Sequence, residues 1–163
     1  MGNINLTFIE TAPRLPEFVT YLQRTLDFLN SIGLMAKGGE RLGIYLNGLK
    51  ISGSAQCVHK NRVLYHCTLL YDTDLTALHK ALNPELMVDD ETLSSVYAVP
   101  SVRSEVTNIR SYLPEGTVTD FKEKAFQYFS KSQSVSAFTG KEIEAVNQLR
   151  EGKYIQKEWI YSR

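Results

Sequence analysis

The sequence predicts an α/β protein (α+β in a stricter scheme), a mixed, largely antiparallel sheet covered by helices. Three observations carry this expectation. The runs Asn3 to Ile9, Arg41 to Leu46 and Arg62 to Tyr71 read as strands, with polar and apolar residues alternating. Asn47-Gly48 lies between two strand-like runs and is the strongest hairpin signal in the chain. Leu15, Phe18, Val19, Leu22, Leu26 and Leu29 fall on one helical face, a stripe suited to covering a sheet. The 163 residues are read as a single domain, long enough for a sizeable core.

Taken in order, Asn3 to Ile9 opens the sheet. Pro13 and Pro16 punctuate a turn, Pro16 suits a first helical position, and the helix ends near Gly33. Arg41 to Leu46, the strand from Lys50 and the run Arg62 to Tyr71 form an antiparallel meander, with reversals at Asn47-Gly48 and Lys60-Asn61. Alternation places Leu64, His66, Thr68 and Leu70 on one face and Cys67 on the other. Asp74 to Leu82 reads as a short helix capped by Thr73 and stopped by Asn83-Pro84. Glu85 to Pro100 is polar and irregular apart from Ser95 to Val99. Asp120 to Phe129 is a helix behind Thr119, burying Phe121, Ala125 and Phe129. Ser134 to Phe138 reads as a strand. Thr139 and Glu142 open a last helix with a capping box, and Tyr154 to Tyr161 closes the chain as a strand.

Composition excludes several classes of function. Lys+Arg and Asp+Glu are both 18, so no basic field points to nucleic acid or an anionic membrane. No apolar run is long enough to span a bilayer, and no secretory pattern opens the sequence. Cys57 and Cys67 form neither a metal spacing nor a disulfide framework, so a cytoplasmic location and no metal site are expected.

The chemistry gathers at Lys50-Ile51-Ser52-Gly53-Ser54-Ala55-Gln56. Glycine admits close approach of a ligand to the backbone. A loop of small residues offers N–H groups to an anion. A lysine beside it supplies a point charge for a phosphate or a developing oxyanion. Asn47 to Gln56 resembles the lipoate–protein ligase A signature "dGkKisGsAq". Arg62-Val63-Leu64-Tyr65-His66-Cys67-Thr68-Leu69-Leu70 is similar to that family's "R-x-x-h-H-G-T-L-L". Ser101-Val102-Arg103-Ser104-Glu105-Val106-Thr107-Asn108-Ile109 is similar to its "SVRSxVTNL". Gly2 and Asn3 match the Gly-Asn of "H-D-x-G-N-x-n-x-s-f", and the closing run resembles "kY…W.W.yg". The three motifs stand in the family's order, and the resemblance covers nearly the whole chain.

The resemblance implies a catalytic core of the biotin and lipoate ligase type. It implies ATP-dependent conversion of lipoate to lipoyl-AMP, with Mg²⁺ beside ATP, and transfer of the acyl group to a carrier lysine. The carriers implied are lipoyl domains of 2-oxo acid dehydrogenase complexes or the glycine cleavage H protein. Carried over residue by residue, Lys50 is the catalytic lysine. Asn3, Ser54, Ala55, Gln56, His66 and Thr68 contact substrate or nucleotide, while Arg103 and Asn108 hold a loop. Cys67 stands where the family usually has glycine and faces away from His66.

The sequence also departs from the family pattern. Its "R-N-D-[IL]" is here Arg41-Leu42-Gly43-Ile44, which removes an amide and a carboxylate. The family's "R-R-x-S-G-G-G-x-V" loop is not seen, and no small C-terminal accessory domain follows the tryptophan run. The expectation is therefore a partial catalytic domain that does not form lipoyl-AMP unaided. An exposed edge at the first strand is expected to favour self-association. Two alternatives accompany this reading. One is a non-catalytic remnant or subunit that binds lipoyl domains or a partner chain. The other is an octanoyltransferase working through a cysteine thioester, although Gly33 to Glu40 contains no cysteine.

Overall fold

The computed structural model describes residues 2–11, 17–83, 104–131 and 134–161. Pro13, Leu15, Pro16, Ser95 to Val99 and Ser101 to Arg103 lie outside the described residues. The chain divides into two compact units, one of residues 1–88 and 101–128, the other of residues 89–100 and 129–163.

The first unit is built on five strands: β1 (Asn3–Thr11), β2 (Lys37–Gly38), β3 (Ile44–Leu46), β4 (Leu49–His59) and β5 (Arg62–Leu70). Their order is β1-β5-β4-β3-β2, and every strand pair is antiparallel. One parallel bridge, Lys50 to Val106, makes the sheet mixed, as the sequence predicts. Asn47 and Gly48 both take positive φ, 48° and 84°, the signature of a type I′ hairpin turn. Lys60 also sits in the left-handed region at the β4–β5 reversal.

The period of two divides the sheet into unlike faces. Val63, Tyr65, Cys67 and Leu69 on β5 are fully buried. Helix α1 (Phe18–Ser31) lies over them: the Tyr21 and Tyr65 rings stack at 5.6 Å, and Thr25 Oγ1 is 3.9 Å from Cys67 Sγ. Helix α3 (Val118–Ser130) extends this layer, with Phe121 packed on Phe28 at 5.4 Å and on Tyr71 at 5.0 Å. Each buried large apolar side chain contributes roughly 1.5–3 kcal/mol. Arg24 anchors α1 to β1 through an ion pair with Glu10, which also accepts from Tyr21 Oη at 3.1 Å. The other face carries the polar members of β1 and β5. At the described end of the sheet β1 is the edge strand, and its Ile9 is 64% exposed.

Several elements differ from expectation. Arg41 to Leu46 is strand only from Ile44, because Leu42 adopts φ 55° within a turn in which Gly39 N–H donates to Gly43 C=O. β2 was not anticipated, being two residues long. Helix α2 (Leu75–Leu82) is capped by Asp74, whose carboxylate accepts from Ala77 N–H at 2.9 Å, and not by Thr73. Helix α3 begins two residues earlier than Asp120, because Thr117 and Asp120 cap each other reciprocally. That N–H donation holds the Asp120 carboxyl below its ordinary range.

In the second unit, helix α4 (Gly140–Leu149) opens with the predicted Thr139/Glu142 capping box. It continues into a π-helical turn, Arg150–Tyr154, and a short helix α5 (Lys157–Tyr161). The expected closing strand is thus helical, and residues 134–139 form no strand. Lys153 Nζ lies 4.3 Å from the Trp159 ring centroid and 5.3 Å from that of Tyr154. This cation–π cluster favours a local turn over an extended pairing partner.

Candidate functional site

The sheet face not covered by α1 is assembled row by row from β1, β5 and β4. Residues paired across strands share a face, so Asn5, Thr68 and Gly53 form one row and Thr7, His66 and Ala55 the next. Thr68 Oγ1 donates to Asn5 Oδ1 at 2.9 Å, and Thr7 Oγ1 meets His66 Nδ1 at 2.8 Å. At the same end as these rows, Asn3 Oδ1 accepts from Thr73 Oγ1. Gly2 C=O accepts from Tyr71 and Asp72 N–H at 2.9 and 3.0 Å, which fixes the start of β1.

Simple alternation along β4 would put Lys50, Ser52 and Ser54 on one side. Pairing with β3 shows otherwise. Ile44 opposes Ser52, but Tyr45 opposes Lys50, so Ile51 is an extra residue in β4. Ile44 and Tyr45 point to opposite faces, and their partners follow them. Ser52, 2% exposed, goes under α1 with Ile44, and Lys50 goes with Tyr45 to the face of His66 and Thr68. A β-bulge re-aims a side chain in this way. Ile51 itself is fully buried, which anchors the bulge.

Lys50 is held on its flanks through its backbone. Its N–H donates to Glu105 C=O at 2.8 Å, and its C=O accepts from Thr107 N–H at 3.0 Å. Gly43 makes room for the lysine stem, since a Cβ built there would lie 3.3 Å from Lys50 Cε and 3.3 Å from Tyr45 Oη. Among the described residues no hydrogen bond or ion pair engages the Lys50 ammonium. Gly53 is different from Gly43. Like Gly43 it has no positive φ, but a Cβ there would meet no described atom within 4 Å. The strip of Gly53 and Ala55 is therefore open backbone beside a row of hydrogen-bonding side chains.

The structure thus brings Lys50, Ala55, His66, Thr68 and Asn3 to one face. It separates Ser54 and Gln56 from them. Ser54 Oγ donates to Leu42 C=O at 3.4 Å and accepts from Gln56 Nε2 at 3.1 Å, on the side of α1. Only their backbone faces the strip, because a strand alternates its side chains. Asn108 has the loop-holding role the motif implies: its amide bonds both backbone groups of Thr73 at 2.9 Å. Arg103 lies outside the described residues. Leu42, in place of the family's asparagine, packs against the buried cluster of Tyr21, Val63, Tyr65 and Cys67. Burial pushes the Cys67 thiol up from its ordinary pKa, with Thr25 and Ser52 opposing the shift. A protonated, covered thiol is a poor nucleophile.

Asn5, Thr7 and Tyr45 escaped the sequence reading, as did the backbone of Glu105 and Thr107. The alternation of β1 placed Asn3, Asn5 and Thr7 together, a signal for the first two. Nothing in the sequence pairs Lys50 with residues 105–107. Among the described residues no cluster of three or more His, Cys, Asp or Glu side chains is placed to hold a metal ion. No helix of the described residues is long and apolar enough to cross a membrane.

Comparison with known proteins identifies the family and the fold. Residues 1–130 match the model of the lipoyl protein ligase A/B catalytic domain. A probable lipoate-protein ligase A of Mycoplasma pneumoniae is 36% identical over 82% of this chain and 39% of its own length. A second, from Mycoplasma genitalium, is 32% identical over 100% of this chain and 48% of its own length. The chain therefore spans about half the length, or less, of these curated relatives. Among solved structures, a bi-partite lipoate protein ligase from Thermoplasma acidophilum, described with its E2 lipoyl domain, has a TM-score of 0.73 at 23% identity. The superposition covers 98% of this chain and 64% of that one. A lipoate-protein ligase A bound with ATP gives 0.73 at 22% identity, over 97% of this chain and 64% of that one. At these identities the two structures speak for the fold. From its match over residues 1–130 and its relatives above 30% identity, the chain belongs to the lipoyl protein ligase A/B catalytic domain family.

Proposed function

We propose that this chain carries the acyl-adenylate face of a lipoate–protein ligase. Lipoate and MgATP give lipoyl-AMP and pyrophosphate, and a lysine amine of a lipoyl carrier domain then displaces AMP to form the amide. The observation that carries the reading is the bulge at Ile51, which sets Lys50, its ammonium without a hydrogen bond or ion pair among the described residues, on the open face of Ala55, His66 and Thr68. There the ammonium would neutralise charge on the adenylate phosphate and on the carbonyl oxygen as the carrier lysine attacks. Gly53 and Ala55 leave room for a ligand against the strand. His66 and Thr68, held by Thr7 and Asn5, offer fixed polar contacts, and Asn3 extends them. Mg²⁺ would enter as the metal of MgATP, held chiefly by phosphates, because such ions rely on substrate oxygens and water. The names of the relatives support lipoate as substrate. The Thermoplasma ligase described with its E2 lipoyl domain supports a lipoyl domain as acceptor.

A second reading has one observation in its favour. Leu42-Gly43 replaces the family's Asn-Asp, and Leu42 is committed to core packing. On this reading the chain binds adenylate or carrier but does not itself activate lipoate. The two half-reactions separate the readings. Transfer from preformed lipoyl-AMP to a lipoyl domain tests the face itself, and Lys50→Ala should slow it by about 10²–10³. Transfer unaffected by Lys50→Ala would overturn the proposal. Pyrophosphate release from lipoate and MgATP then reports whether activation also occurs. The thioester route is disfavoured by the burial of Cys67, and transfer unchanged when Cys57→Ala and Cys67→Ala are combined would exclude it.

A further inference from the structure

We infer that Asn108 is a positioning residue for Lys50, a role that rests on Lys50 facing the adenylate as proposed above. The regular pairing of β4 with β5 stops at Ser52 and Leu69. Two residues further back, beyond the bulge, Lys50 has lost that neighbour. Its flank is taken by a segment more than fifty residues away in sequence, through Glu105 C=O and Thr107 N–H. The orientation of Lys50 therefore depends on what fixes residues 105–107.

Asn108 is the next residue and supplies that fixation. Its Oδ1 accepts from Thr73 N–H and its Nδ2 donates to Thr73 C=O, both at 2.9 Å. A primary amide is suited to this because it presents a donor and an acceptor side by side. Beyond it, fully buried Ile109 and the bond from Arg110 N–H to Tyr71 C=O, 2.9 Å, complete the attachment. Thr73 in turn donates to Asn3 on the open face. Asn108 thus ties the segment that carries Lys50 to the strand end that carries Asn3. The side chain of Asn108 is free for this because it caps nothing: it precedes the 3₁₀ turn Ile109–Ser111 without bonding it.

Asn108→Asp keeps the acceptor, removes the donor and sets a carboxylate against the Thr73 carbonyl. Hydrogen exchange on the full chain should show the Lys50 and Thr107 amides exchanging roughly tenfold faster or more. The Cys67 and Leu69 amides in the sheet centre should be unchanged, which reports an intact fold. Where the aspartate unfolds the chain globally, Asn108→Ala, which adds no charge, is read in the same way. Affinity for preformed lipoyl-AMP should fall by roughly tenfold, and Asn108→Asp placed on top of Lys50→Ala should cause no further loss. Unchanged exchange at Lys50 and Thr107 would overturn the inference. So would an equal affinity loss with and without the Lys50 ammonium, which marks a role unrelated to that lysine. If Lys50→Ala alone leaves affinity unaltered, the reading of Lys50 fails, while exchange still judges the clamp.

Discussion

Gly53→Val separates the two faces of the sheet as candidate sites. In the row of Asn5, Thr68 and Gly53, a valine would stand on the open strip beside Ala55, where no described atom lies within 4 Å of a Cβ. The backbone at Gly53 has ordinary negative φ, so valine meets no left-handed strain. Glycine within a strand costs roughly 0.5–1 kcal/mol relative to alanine, and β-branched residues favour strands. The variant should therefore melt at the same temperature as the parent or up to a few degrees higher. Binding should behave oppositely. A branched side chain on the strip occupies the space into which the adenylate would lie, and steric exclusion of this sort costs more than one good contact. An affinity loss of tenfold or more corresponds to about 1.4 kcal/mol. Calorimetric titration with preformed lipoyl-AMP, run beside thermal melting, reads both quantities. Unchanged affinity with an unchanged melting temperature would place the site elsewhere than on this face. A large fall in melting temperature would refute the claim that the strip is open.

His66→Ala should weaken lipoyl-AMP binding while shifting the melting temperature little, because the ring's described hydrogen bond is to exposed Thr7. A melting shift with full affinity, measured by the same titration, would make His66 structural. Tyr65→Phe should leave stability near neutral or raise it, because Tyr65 Oη is buried without a hydrogen bond of good geometry. Burial pushes the Tyr65 phenol from an ordinary 10 to about 12, with the Ser54 hydroxyl opposing the shift weakly. A group whose folded pKa is raised stabilises fully below its unfolded pKa and loses that contribution as pH rises through the folded value. Stability should thus fall between about pH 10 and 12, more steeply in the parent than in Tyr65→Phe. Urea melts across that range check it, and identical slopes would show that Tyr65 does not carry the effect.

Much of the sheet was legible because its signals are local. Asn47-Gly48 can turn in few ways, and the alternation of β1 and β5 decides which side chains are buried. Helix α1 was legible in part: Leu22, Leu26 and Leu29 of its stripe are buried, but Val19 is 54% exposed, and Tyr21, Thr25 and Phe28 complete the covered face instead. What failed was also local in origin. Tyr154 to Tyr161 has the aromatic and β-branched content of a strand, but no partner strand covers it among the described residues. Lys153 between two aromatic rings settles the chain into turns instead. Thr73 looked like a cap, yet its hydroxyl is spent on Asn3 and its backbone on Asn108, leaving Asp74 to cap α2.

The orientation of Lys50 belongs to a different kind of information. Period two, applied strictly from the well-paired Ser54, sends the lysine under α1, into the company of Ile44 and Ser52. An ammonium buried there without a partner would bear a large desolvation cost. The bulge avoids that cost by inserting Ile51, an apolar residue that fills the interior while turning its neighbour outward. No composition rule announces this, since Ile51 looks like any strand residue. What betrays it is the adjacency of two buried residues, Ile51 and Ser52, in a strand that should alternate. The bulge is stable only because residues 105–107 take up the hydrogen bonds that a regular ladder would have supplied. The lysine motif and the run Glu105-Val106-Thr107-Asn108 therefore describe one structural device from its two ends. A substitution that disturbs either end should be felt at the Lys50 ammonium before it is felt in the core.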